Sequence, residues 1–251
     1  MSGHSKWSTI KHKKGAADAK RGQLFTKLSR EIMIAAKQGD PNPDLNFRLR
    51  LAVDNAKSLN MPKDNIERAI SKGSGVGSDT VTLEEITYEA YGPGGIGIII
   101  QTLTDNKNRT AAEVRSQLTR SGGNLAGTGS VSWNFEQKGI INLRVIDGDE
   151  EEIALDIVDN GAEDFEIIDK SIHVTATYEK FSEIKSKIET IEGIEITEAD
   201  LALVPNTTTM LNDKEGTQTL KLIETLEDLD DVSKVFSYAV FSEKSINDFE
   251  N

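Results

Sequence analysis

The sequence predicts an α+β multidomain fold: an N-terminal three-helix bundle followed by two ferredoxin-like α/β domains, one inserted in the other. Three observations lead there. The apolar period is helical up to Gly73 and changes, after the Gly/Ser stretch Gly73 to Ser78, to strands mixed with helices. The interval 140–204 then reads strand, helix, strand, strand, helix, strand, a complete split βαβ unit. The flanking pieces repeat that order when Thr207–Leu211 is counted as a strand.

Residues 1–15 show no apolar period, so they read as an extended, solvated arm. From Ala16 the pattern is helical, with Leu24, Phe25, Leu28, Ile32, Ala35 and Ala36 on one face, until Gly39-Asp40-Pro41 stops it. The run Asn42-Pro43-Asp44 offers a cap, a first-turn proline and an acid for a second helix. Its expected stripe is Leu45, Leu49, Val53, Ala56 and Leu59. A third helix opens at Met61-Pro62, carries Ile66, Ala69 and Ile70, and ends at Gly73.

Beyond the linker, strands are expected at 84–91, 96–104, 130–136, 140–146, 164–169, 171–177, 194–204 and 232–241. Helices fit 109–121, 150–160, 179–192 and 214–229. The domains are therefore 1–78 (arm plus bundle), a discontinuous α/β domain of 79–136 and 206–251, and an inserted domain at 137–205. The crossing points near Phe135–Gly139 and Pro205 are expected to act as hinges.

Charge is distributed as unevenly as structure. The first thirty residues hold eight Lys and Arg against the single acid Asp18, yet the whole chain is −13. Clustered cations mark polyanion binding, because each phosphate contact releases condensed counterions, and an acidic body confines the polyanion to the cationic face. Cysteine is absent, which removes disulfides, thiolate nucleophiles and Cys-based metal sites. The longest apolar run, Ile96 to Ile100 interrupted by Gly97, is far too short for a bilayer. No signal-peptide core precedes the arm, so the expected compartment is the cytoplasm and no membrane partner is expected.

Candidate binding residues start in the arm. Lys6, Trp7, Lys11, His12, Lys13, Lys14, Lys20, Arg21 and Lys27 combine phosphate-seeking cations with one stacking face, as single-stranded or looped nucleic acid requires. Trp7 docking the arm onto an apolar groove of the protein is an equal alternative. The run Thr104 to Thr110 sits between a strand and a helix start, with Asn108 as a cap. There Lys107 and Arg109, continued by Arg115 and Arg120, suit a phosphate or a carboxylate partner, with a capped turn carrying solvent-facing charges an equal alternative. Tyr91-Gly92-Pro93-Gly94-Gly95 reads as a tight turn and not a Walker loop, since no Gly-Lys-Ser/Thr follows.

Two acidic runs divide. Asp147 to Glu152 lacks the alternating ligands of a calcium loop and falls where a helix start wants acids. Glu227 to Asp231 lies at a helix end, where acids oppose the dipole, and reads as a partner surface. No catalytic set assembles from His4, His12 and His173, so no enzyme, metal or cofactor is expected. A distant enzyme alternative would use the loop from Asp105 to Arg109.

Several ordered motifs are held in common with one family. Gly3-His4-Ser5-Lys6-Trp7, Ile10-Lys11-His12-Lys13, Asp18-Ala19-Lys20-Arg21-Gly22 and Phe25-Thr26-Lys27-Leu28 closely resemble the N-terminus of the YebC/PmpR family. Tyr88-Glu89, Tyr91 to Gly95, Thr104-Asp105-Asn106, Asn108-Arg109-Thr110 and Gly122 to Leu125 continue the resemblance. Ser130-Val131, Trp133, Phe135, Lys138-Gly139 and Leu226 to Val232 complete it nearly end to end, with Ala90 where the family usually has glycine. The resemblance implies a three-domain cytoplasmic protein, DNA-binding and named for transcriptional regulation. A mitochondrial branch is a translational activator of cytochrome oxidase synthesis, and bacterial relatives are linked to elongation on the ribosome. The implied partner is therefore DNA or ribosomal RNA.

Overall fold

The structure, a computed structural model, describes residues 18–75, 82–168 and 170–250. These form two compact units: residues 18–56, 61–75, 82–135 and 205–250 make one, and residues 57–60, 136–168 and 170–204 make the other. The chain passes between them at Phe135/Glu136 and Val204/Pro205.

Helices α1 (Asp18–Gln38), α2 (Phe47–Ser58) and α3 (Lys63–Gly73) form the expected bundle. Leu28, Ile32, Ala35 and Ala36 of α1 pack with Leu49, Val53 and Ala56 of α2 and with Ile66 and Ala69 of α3. Helix α2 starts later than the Asn42-Pro43-Asp44 signal suggests, and Leu45 and Leu59 stay exposed. Asn46 is the reason. Its Oδ1 accepts from Leu49 N while its Nδ2 donates to the carbonyls of Ala35 and Asp40, fastening the start of α2 to the end of α1.

Strands β1 (Glu84–Tyr91), β2 (Gly97–Thr104), β3 (Asn124–Leu125) and β9 (Val232–Ser237) build an antiparallel sheet in the order β3-β1-β2-β9. Helices α4 (Lys107–Arg120) and α7 (Asp213–Glu227) contribute Val114, Leu118, Leu220, Leu222, Ile223 and Leu226 to its core. Leu103, on the alternate face of β2, packs with Leu83 and with Ile34 of α1. Both faces of β2 are thus covered, which explains its unbroken apolar run Ile98-Ile99-Ile100. Short strands β8 (Thr209–Met210) and β10 (Ala239–Val240) pair in parallel, and α8 (Glu243–Glu250) closes the chain.

The expected strand at 130–136 is not part of this sheet. Residues Ser132–Asn134 form a 3₁₀ turn, because a side chain takes the amides a neighbouring strand would need: Glu89 accepts from Gly129 N, Val131 N and Ser132 N. The run Thr207–Leu211 likewise yields only β8, outside the main sheet, and 232–241 breaks at Tyr238 into β9 and β10.

The second unit is built from β4 (Phe135–Val145), α5 (Glu150–Asp159), β5 (Asp164–Ile168), β6 (Ser171–Thr177), α6 (Phe181–Ile188) and β7 (Ile194–Pro205). Its strand order β5-β6-β4-β7 is that of a split βαβ fold. Ile172, Val174 and Ala176 alternate inward from β6, and Phe181 fills the space that Gly139 leaves open. Asp149 caps α5 through the amides of Glu151 and Glu152, as the acid-rich start implied.

Candidate nucleic-acid interface

Asp231 ends the acidic run after α7, and its side chain is only 2% exposed. A buried carboxylate is tolerable only when its oxygens are occupied. Oδ2 accepts from Thr110 Oγ1 and Arg109 Nη2, both at 2.6 Å, and from Thr104 Oγ1 at 2.9 Å. Oδ1 takes Arg30 Nη1 at 2.8 Å. Burial pushes this carboxyl up, but the bonds from Thr110, Arg109 and Thr104 and the charge of Arg30 hold it below the ordinary aspartate value. Thr104 Oγ1 also accepts Asn106 N, and Asn106 Oδ1 accepts Arg109 N, so Asn106, not Asn108, caps α4.

The rest of the run is met by one stripe of α1. Gln23, Lys27 and Arg30 recur at four and three residues, one helix face. Gln23 Nε2 donates to Asp228 O and to Asp230 Oδ1, both at 2.8 Å. Lys27 Nζ donates to the carbonyl of Glu227, an orphan acceptor at the end of α7, and to that of Val232 at the start of β9. Acids that oppose the helix dipole are therefore offset by cations from α1. Elsewhere in the bundle, Lys37 donates to Leu83 O and Arg48 pairs with Glu85.

A second buried carboxylate shapes the opposite end of β1. Glu89 is 6% exposed and takes the three amides of the 129–132 segment. Burial raises its pKa, and those bonds bring it below the ordinary glutamate value. Tyr91 Oη donates to Ser130 O, and Trp133 Nε1 donates to the same carbonyl. The Trp133 ring is presented at 70% exposure on a backbone turn fixed from beneath. Sequence reading gave no role to Glu89 or Trp133, and took Asp231 only as part of an acidic partner surface. Only their place within the motif runs marked them.

The sequence-derived candidates are dispersed. Lys6, Trp7, Lys11, His12, Lys13 and Lys14 lie outside the described residues. Lys20 falls in the first turn of α1, and Arg21 is exposed beside it. Lys27 faces its own chain, as above. Lys107 pairs with Glu84 at 2.7 Å, and Arg109 divides between Asp105 and Asp231. Arg115 and Arg120 are exposed on α4 and form no ion pair among the described residues. No His, Asp or Glu cluster suited to a metal ion occurs among the described residues, and no described helix is long and apolar enough to cross a membrane.

Comparison with known proteins is consistent along the chain. Residues 5–76 match the TACO1/YebC protein N-terminal domain, and residues 83–239 match the TACO1/YebC second and third domain. A probable transcriptional regulatory protein of Dehalococcoides mccartyi is 47% identical over 251 residues, 100% of this chain and 99% of that one. One from Dictyoglomus thermophilum is 48% identical over 238 residues, 94% and 95% of the two chains. The crystal structure of a conserved hypothetical protein from Aquifex aeolicus superposes with a TM-score of 0.83 at 40% identity, covering 90% of this chain and 93% of that one.

Proposed function

The chain belongs to the TACO1/YebC family, and from that premise we propose that it is a non-enzymatic, nucleic-acid-binding regulator of gene expression in the cytoplasm, acting on DNA as a transcriptional regulator. The relatives' names support regulation of transcription. The observation that carries nucleic-acid binding is the charge division. Asp230 and Asp231 of the acidic run are engaged by Gln23, Arg30 and Arg109 of the same chain, while the sequence before α1 concentrates cations against a chain of net charge −13.

A second reading, a translation factor on ribosomal RNA, draws on the same geometry. With Lys27 and Arg30 turned to the protein, the cationic arm is the main polyanion contact, and an arm without helical period follows phosphates without reading base edges. Retention of full-length chain on labelled nucleic acid tests both. If about six phosphates are met, affinity falls about a thousandfold from 50 to 200 mM salt. Affinity unchanged over that step would sink the reading. A preference for one promoter over random duplex by about a thousandfold identifies the regulator. Co-sedimentation with ribosomal particles, lost when Lys11, Lys13 and Lys14 become Ala, identifies the translation factor.

A further inference from the structure

Helix α1 has a second working face. Phe25, Ser29 and Met33 recur every four residues, and Phe25 lies two positions, about 200° of helix rotation, from Gln23. While the Gln23–Lys27–Arg30 stripe meets the acidic run, this one faces α3. Gly73 lets the end of α3 approach closely: a Cβ there would lie 2.3 Å from the Met33 carbonyl oxygen. Between the two helices runs a cleft of about 300 Å³, with Phe25, Ser29 and Met33 on one wall and Asn65, Arg68 and Lys72 on the other.

Three features of this cleft point to one class of occupant. None of its lining residues is acidic, in a chain whose net charge is −13. Arg68 and Lys72 are exposed and form no ion pair among the described residues; Arg68 has only a 3.3 Å bond to Asn65 Oδ1. The wall across from these cations carries the half-buried ring of Phe25, a flat surface of the kind on which bases stack. The hydroxyl of Ser29 donates to Phe25 O, leaving its oxygen to accept, and the Asn65 amide supplies donors. A recess with an aromatic wall, a mixed donor–acceptor edge and two cations four residues apart suits an unstacked nucleotide better than a duplex, whose base edges meet a protruding helix.

We propose that the α1–α3 cleft is a nucleotide-binding site for single-stranded nucleic acid. One base packs against Phe25, and the flanking phosphates meet Arg68 and Lys72. This deepens the nucleic-acid-binding reading and rests on it. The cleft lies on α1, which directly follows the basic arm in sequence.

Fluorescence anisotropy with labelled twelve-nucleotide RNA, the same DNA strand and its duplex tests this on the full chain. Removing two single-strand phosphate contacts with Arg68→Gln/Lys72→Gln lowers the salt slope. Wild type then loses about sevenfold more affinity than the variant between 50 and 200 mM salt. Phe25→Leu keeps the apolar volume but removes the stacking face, and weakens single-strand binding roughly five- to a hundredfold. Circular dichroism of each variant separates this from unfolding, and the RNA and DNA arms distinguish the natural strand. If wild type binds no oligonucleotide, the nucleic-acid reading itself falls. If wild type binds, the arm variant loses affinity and both cleft variants match wild type, only the cleft proposal is overturned. Tighter single-strand binding by Phe25→Leu also overturns it. So does equal dependence of duplex binding on Phe25.

Discussion

Replacing Asp231 by Asn changes one atom and one charge at the junction between the bundle and the α/β core. The carboxylate accepts four hydrogen bonds, three at Oδ2 and one at Oδ1. An amide has one acceptor end. If its oxygen faces Thr104, Thr110 and Arg109, its NH₂ opposes Arg30 Nη1; if it is flipped, the NH₂ opposes three donors. The first orientation costs less. It loses the charged bond to Arg30, about 1.5–3 kcal/mol for a charge-assisted bond, and reduces the remaining three toward neutral strength. Arg109 is 42% exposed and water compensates part of its loss, so the net expectation is about 3 kcal/mol. For a chain of this size that lowers the melting temperature of the unit by roughly 6–12 °C. Trp133 lies in the same unit, so urea titration followed by tryptophan fluorescence reports it.

The acid limit provides an independent check. Because Asp231's folded pKa lies below its unfolded value, the carboxylate stabilises above the ordinary aspartate value of 3.8, and this is lost as pH falls through the folded pKa. The gap between wild type and D231N is therefore full at neutral pH and closes in that acid range. A gap under about 0.5 kcal/mol at pH 7, below the value of a single neutral hydrogen bond, or one independent of pH, would refute the reasoning.

Three further outcomes follow from the same geometry. Glu89→Gln places an amide NH₂ against one or two backbone N–H groups, so the 129–132 turn loosens and Trp133 emission shifts with its freed indole; an unchanged spectrum contradicts the anchoring role. Lys27→Met keeps the aliphatic stem but removes the donor to Glu227 O and Val232 O, destabilising by about 1–2 kcal/mol, which thermal unfolding measures. His173 titrates by NMR below 6.5, because burial outweighs the raising effect of Glu166 and Glu198. Its contribution to stability is present above 6.5 and lost as pH falls through the folded value. A midpoint above 6.5 would refute that balance.

What was legible in the chain was mostly what depends on local period. The α1 stripe from Leu28 to Ala36 and the inward alternation of Ile172, Val174 and Ala176 are visible in sequence because 3.6 and 2 are properties of the backbone. The misplaced features depend on side chains that bond far along the chain. Glu89 captures amides forty and more residues away and converts an expected strand into a turn. Asn46 outcompetes the stronger-looking cap signal of Asn42-Pro43-Asp44 because its amide is held by α1. The acids from Glu227 to Asp231 read as a surface for another molecule, yet partners some two hundred residues earlier supply the cations. Helix α8 escaped notice because Ile246 and Phe249 are its few apolar contacts in the core. On the interface, charge density marked the arm, but no local signal separates Lys27, turned to its own chain, from its neighbours.

Asn134 bears on how such a chain tolerates about seventy residues, Glu136–Val204, inserted into a smaller fold. It is 2% exposed, its Oδ1 accepts from the amide and hydroxyl of Thr207, its Nδ2 donates to Thr207 O, and its own carbonyl accepts Asn206 N. The two strands of chain leaving the first unit are stitched together just before they part. For that unit the insertion is a loop whose ends are already joined, and loop-closure entropy grows only with the logarithm of length, about 0.6 kcal/mol per doubling. The inserted fold can thus be lengthened, exchanged or excised at this seam, with folding of the remainder governed by the stitch and not by what hangs beyond it.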